Sequence, residues 1–273
     1  MPLATREAAA LLVVAILVGC ATPSSTLPTL LVPSAEPAAL RLADDEGEAA
    51  VGVIGVERLA VPRIPTPPPA PAQRPPPEPF AMNLYTEGDF VPQHTFEWCV
   101  AASIQMTYNM ARDPNRSTAA DQGMIWEDAR ARSKDQWGGA SGGGWARLLT
   151  EWGVGEYVLA ATADFDTALV KAARAMRKTG LAVGLIMWRG RHAWVMSGLE
   201  SIGDPAIHDE FTVTGIRVLD PLYPYGDAFW GPSPAPNTLL TPEELARQFK
   251  ARDPRSSGPD SPSGYVLVLP VDS

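Results

Sequence analysis

Gln93-His-Thr-Phe-Glu-Trp-Cys99-Val-Ala-Ala-Ser-Ile-Gln-Met-Thr-Tyr108 passes from an aromatic turn into a helix-forming stretch. From Trp98 to Ala111 the run offers Val100, Ile104, Met106 and Tyr108 for burial, and Pro114 closes it. Cys99 therefore falls in the first turn of an expected helix. Backbone N–H groups there have no helical acceptor, and the positive end of the helix dipole favours a thiolate over a thiol. The chain has only two cysteines, and Cys20 lies 79 positions before Cys99 in a segment of different composition. Cys99 is then a lone thiol, either buried filler or a reactive group. Its surroundings favour the reactive reading.

Downstream, Thr118-Ala-Ala-Asp121 reads as a cap opening a second helix through Ile125, Trp126 and Ala129. Trp145, Leu148, Leu149 and Trp152 have helical spacing and predict a third helix from Gly144, ended by Gly153. Asp166 to Lys178 makes a fourth, with Leu169, Ala172, Ala173 and Met176 on one face and Gly180 as its stop. Strands follow. Leu181-Ala-Val-Gly-Leu-Ile-Met187 is a continuous apolar run suited to a buried central strand, and His192-Ala-Trp-Val-Met-Ser-Gly198 forms a hairpin with it across a polar turn. Phe211 to Leu219 is a third strand ending at Asp220-Pro221, and Gly264 to Val271 a fourth. Helices first and antiparallel strands afterwards predict an α+β domain.

Working towards the N-terminus, the composition changes. Ala21 to Pro79 is rich in Pro, Ala and Ser and ends in a proline-dense run. Such a segment buries too little apolar surface to order itself, and its prolines favour an extended spacer of about 3 Å per residue. It is expected to act as a tether over residues 20–79. The Ala50-to-Val56 patch within it has the pattern of one strand. Ahead of it, Arg6 and the apolar run Ala8–Val18 suit a secretory signal over residues 1–19. Leu17-Val-Gly-Cys20 resembles a bacterial lipobox, which implies cleavage before Cys20, acylation of its thiol and an exported protein held on a membrane. Ala21 after that cysteine implies the outer membrane in a Gram-negative cell.

Residues 80–273 remain for one domain with a real core. A net charge of −9, with 22 Lys plus Arg spread along the chain, argues against a nucleic-acid partner. No Cys/His spacing fits zinc. Gly138-Gly-Ala-Ser-Gly-Gly-Gly144 lacks the Lys-Ser/Thr end of a phosphate loop and reads as a loop capping the next helix at a cleft rim.

A thiolate that attacks a carbonyl needs an imidazole to exchange protons with, an acceptor to hold that imidazole, and donors for the oxyanion. His192 opens a central strand, Asp220 ends the next one, and Gln93 lies six positions before Cys99. Of three histidines, His192 alone leads an apolar strand; His94 and His208 lie in polar contexts. Trp98 and Trp194 flank the proposed pair in sequence and are candidates for an apolar cleft wall. The aromatic segment from Tyr223 to Asn237 suits a substrate lip.

The order Cys, His, Asp, with Gln six residues before the Cys, resembles the papain-like cysteine peptidase superfamily. Trp98-Cys-Val-Ala-Ala-Ser103, Arg191-His-Ala-Trp-Val-Met-Ser-Gly198 and Val218-Leu-Asp-Pro221 are similar to its bacteriocin-processing-peptidase-like and plant-effector-protease-like branches. Arg191 stands where those branches carry glycine, and Val100 where glycine or tryptophan is common. The resemblance implies a helical part carrying the cysteine packed on a mostly antiparallel sheet carrying His192 and Asp220. It also implies a peptide or protein substrate, Gln93 in the oxyanion hole, and chemistry without a metal or organic cofactor. Alternatives on the same residue order are a cell-wall peptide amidase or endopeptidase acting on peptidoglycan, a transglutaminase-like acyltransferase, and an inactive binding lipoprotein.

Overall fold

The computed structural model describes residues 76–112, 117–135 and 138–272. The expectations for the signal segment, for Cys20 and for nearly all of the tether lie outside these residues.

Among the described residues, five α-helices and nine strands follow in the order β1 (Pro79–Asn83), α1 (Cys99–Ala111), α2 (Ala119–Ala131), α3 (Gly142–Glu151), β2 (Glu156–Thr162), α4 (Phe165–Thr179), β3 (Val183–Met187), β4 (His192–Ile202), β5 (Thr212–Leu219), β6 (Gly226–Asp227), β7 (Gly231–Pro232), β8 (Thr238–Leu240), α5 (Pro242–Gln248) and β9 (Tyr265–Val271). Local chemistry explains the helix starts. Thr118, Ser141 and Asp164 each accept a first-turn backbone N–H from α2, α3 and α4, and Thr241 makes a full capping box with Glu244 on α5. Gly180 ends α4 in the left-handed conformation, φ 69°.

The main sheet is seven-stranded and antiparallel, with the order β2-β9-β3-β4-β5-β8 and β1 added along the far half of β4. Pro79 already belongs to β1, opposite Ile202, so the ordered domain begins within the last residues assigned to the tether. The long strand β4 distributes its side chains to two cores. Ala193 and Val195 pack with α1, α2 and α3, whereas Trp194 and Met196 pack with α4 and α5. Helices thus cover both faces of the sheet, more than the sequence reading anticipated. The reason is β2, which pairs with β9 at one edge and lies between α3 and α4 in the chain.

Helix α1 is buried almost all round, including Ser103, Gln105, Thr107 and Asn109. Buried polar groups must find partners. Ser103 donates to the Ala193 carbonyl at 3.3 Å, and Asn109 donates to the Asp89 carbonyl at 3.2 Å. The Ser103 bond ties α1 to the start of β4, beside the turn where His192 sits. Among the described residues no helix is long and apolar enough to cross a membrane.

Candidate active site

Three elements deliver three side chains to one end of the sheet. Cys99 is the first residue of α1, His192 is the first of β4, where it pairs with Met187, and Asp220 follows the last residue of β5. His192 Nε2 lies 2.7 Å from Asp220 Oδ1, and both side chains are buried. That contact leaves Nδ1 to face the thiol, and Cys99 lies close enough to the His192 side chain to help raise its pKa. Burial alone pulls the imidazole pKa down. Hydrogen bonding of the ring to the Asp220 carboxylate and to Cys99, with their charges, more than offsets it and raises the pKa to about 9. The ring therefore holds a proton at neutral pH although it is only 5 % exposed. Asp220 Oδ1 also accepts the Leu222 N–H at 2.9 Å, which fixes the carboxylate from its own backbone. Its Oδ2 is buried with no partner among the described residues.

Helix α1 begins without a side-chain cap and without an acidic residue in its first turn. Its leading N–H groups are therefore not occupied by side chains, and the Cys99 N–H has no acceptor within the helix. The oxyanion formed when this sulfur adds to a carbonyl carbon would meet this donor and the helix dipole. Gln93 is placed differently from the sequence reading. Its Nε2 donates to the carbonyls of Thr95 and Phe96 at 3.0 and 3.2 Å, so both amide hydrogens close the turn ahead of α1. Its backbone N–H donates to the Pro221 carbonyl at 2.8 Å, which joins the Cys99 turn to the Asp220 turn. In this structure Gln93 braces the site, and an oxyanion role requires its amide to leave those carbonyls.

A cleft of about 840 Å³ opens onto Cys99 and His192. Its apolar lining comes from Phe96, Val100, Ile186 and Val266; Phe96 is 81 % exposed. The tryptophans chosen from sequence do not line it. Trp194 is fully buried among the residues under α4 and α5, because β4 turns alternate residues to opposite faces. Trp98 packs against Trp126 of α2 at 6.3 Å, over Gly123. His94 and His208 are also outside the lining.

The residue missed from sequence is Trp188. It stacks on the His192 ring with centroids 4.1 Å apart, and its Nε1 donates to Gln248 Oε1 at 2.8 Å. Its backbone N–H also reaches the Gln248 carbonyl at 3.1 Å. Trp188 and Arg189 both lie in the left-handed region, φ 53° and 59°. This conformation costs an ordinary residue roughly 1–2 kcal/mol, and it persists because Gln248 at the end of α5 holds both the indole and the backbone of Trp188. Nothing in the run Trp188-Arg-Gly-Arg marked it beyond a polar turn.

The Gly-rich segment does reach the cleft, where Gly139 to Gly142 form part of the wall. Gly143 has no room for a side chain, since a Cβ there would lie 2.2 Å from Asp260 Oδ1. Asp260 is buried over this turn and accepts from the Lys134 N–H, the Ser141 hydroxyl and Arg147. Burial pushes its pKa up, but these bonds outweigh it and hold the carboxyl below the usual range. The arrangement gives a thiol a proton acceptor, gives that acceptor a fixed carboxylate, and leaves N–H donors beside the sulfur. No known family model and no curated protein matches the chain.

Proposed function

We propose that the chain is an exported, lipid-anchored thiol hydrolase with a papain-like fold that cleaves a peptide or amide bond. The observation that supports this most is the contact series Asp220–His192–Cys99, with a buried imidazole whose pKa is about 9. Cys99 sulfur attacks the carbonyl carbon, and the oxyanion is held by the Cys99 N–H at the start of α1. The C–N bond then breaks, and His192 gives its proton to the departing amine. Water adds to the thioester while His192 takes up its proton, and the acid leaves as the Cys99 thiolate and the protonated imidazole are restored. Asp220 keeps the ring aimed throughout, and Trp188 keeps solvent off its face. The mechanism uses no metal or organic cofactor.

The signal segment and Cys20 complete the reading, with residues 20–79 as a tether from an acylated Cys20. In a Gram-negative cell this places the domain at the outer membrane, within reach of peptidoglycan peptides as well as exported proteins. The test is incubation of the full chain with a peptide library and with peptidoglycan fragments, with and without an added primary amine. New carboxyl termini that vanish in Cys99→Ala, and fall about 10²–10⁴-fold in His192→Ala, are the expected result. Amine adducts in place of free acids would reassign the chain as an acyltransferase. A chain that binds fragments but cleaves none would be a binding lipoprotein.

A further inference from the structure

The wall beside His192 is rich in guanidinium groups with no internal work. Arg189 and Arg191 flank Gly190 in the β3–β4 turn, and Arg255 stands in the segment that leads to β9; all three are exposed and line the cleft. None of the three side chains has a hydrogen-bond or ion-pair partner among the described residues. Each carries five N–H donors. Arg252, also in the lining, is employed differently. It donates to the Ser256 carbonyl at 2.9 and 2.7 Å and reaches the Gly190 carbonyl at 3.5 Å, so it clasps the two cationic segments together. Gly190 leaves the space this requires, since a Cβ there would lie 2.0 Å from Arg252 Nη1.

The carboxylates of the same cleft are occupied in other ways. Asp260 and Asp135 are buried, the first bonded to Lys134, Ser141 and Arg147, the second accepting the Asp260 N–H at 2.9 Å. Asp253 accepts the Arg255 N–H at 2.8 Å. Glu97 is the lining acid without such a bond among the described residues. In a chain of net charge −9, a cationic wall next to the imidazole is a local reversal. A second hollow of about 280 Å³, lined by Trp188, Asp227, Phe229 and Trp230, shares Arg189 and Arg191 with the cleft, and the Asp227 carboxylate there accepts the backbone N–H groups of Phe229 and Trp230. The two arginines therefore border both spaces that a substrate running past His192 would cross.

We propose that Arg189 and Arg191, with Arg255 across the clasp, bind a carboxylate close to the scissile bond, so that the substrates are acidic peptides. The carboxylate is either a Glu or Asp side chain or a free α-carboxyl end. A guanidinium pair takes such a group through parallel charge-assisted hydrogen bonds. This selectivity rests on the thiol hydrolase reading, and the test separates the two.

The full chain is treated with iodoacetamide and with peptidyl chloromethyl ketones that differ only in Glu against Gln at the residue next to the electrophile. In parallel, tripeptides ending in a carboxylate or a carboxamide are compared for protection of Cys99. The expected result is Glu-over-Gln inactivation by about 10- to 100-fold, or the equivalent preference for the carboxylate end in protection. The preference falls to about one in Arg189→Gln/Arg191→Gln and shrinks with added salt. Melting temperatures verify that the double variant is folded. Iodoacetamide labelling of Cys99 with no preference for either carboxylate overturns this inference and leaves the hydrolase reading standing. Labelling by no reagent until denaturation overturns both.

Discussion

At position 188 an indole sits in left-handed backbone, stacked on an imidazole and held by Gln248, and no pattern of neighbouring residues announces it. Cys99, His192 and Asp220 were legible for the opposite reason. Each stands at the end of an element whose periodicity is strong, so the start of a helix and the ends of two strands could be aligned from sequence. Gln93 was not legible, because an amide six residues before a thiol serves equally well to aim at a substrate or to close its own turn. Here it closes the turn. Trp194 failed through strand alternation, which sends it under the sheet. In the proposed mechanism protonated His192, with a pKa of about 9, is the acid that releases the amine, so kcat/KM is expected to hold below that value and to fall as pH rises through it. The Asp220 hydrogen bond is one of the causes that raise the pKa. Asp220→Asn is expected to move this alkaline limb downward by about 1–2 pH units, read from the pH profile of peptide hydrolysis. An unmoved limb would remove Asp220 from the role assigned to it.

The helices were readable through their caps and apolar spacing, and the structure sets them within a few residues of the expected bounds. The strands divide. β3, β4, β5 and β9 are dense in apolar residues, whereas β2 lies at the sheet edge with Val158 40 % exposed and carries a weaker signal. β8 and α5 span three and seven residues, too short for periodicity, although Thr241 and Glu244 spell a capping box. Packing between elements was hidden altogether. Gly184 in β3 lies under Trp145 of α3, and an added Cβ would come within 2.6 Å of the ring. The ring is fully buried and cannot swing aside. Gly184→Ala is expected to destabilise the domain by about 1–3 kcal/mol, measured by urea unfolding. An unchanged midpoint would mean that α3 slides freely over the sheet.

For the molecule as a whole, the α+β class followed from the order of elements, while the two-faced cover of the sheet did not, since it depends on where an edge strand sends the chain. The sheet brings the turns after β3 and β5 to the first turn of α1, and the Gln93 N–H to Pro221 bond joins two of them. Folding thereby brings to one site residues 121 positions apart in sequence, Cys99 and Asp220. The proposed mechanism requires that the Cys99 sulfur and the His192 ring share a proton. Its most direct test is the rate of iodoacetamide labelling of Cys99 in the native full chain at pH 6, beside a free thiol and the His192→Ala variant. An ordinary thiol, with a pKa near 8.5, is almost wholly protonated there. The native protein is expected to react about 10- to 100-fold faster than either reference; equal rates in native protein and variant, or labelling only after denaturation, would contradict the account.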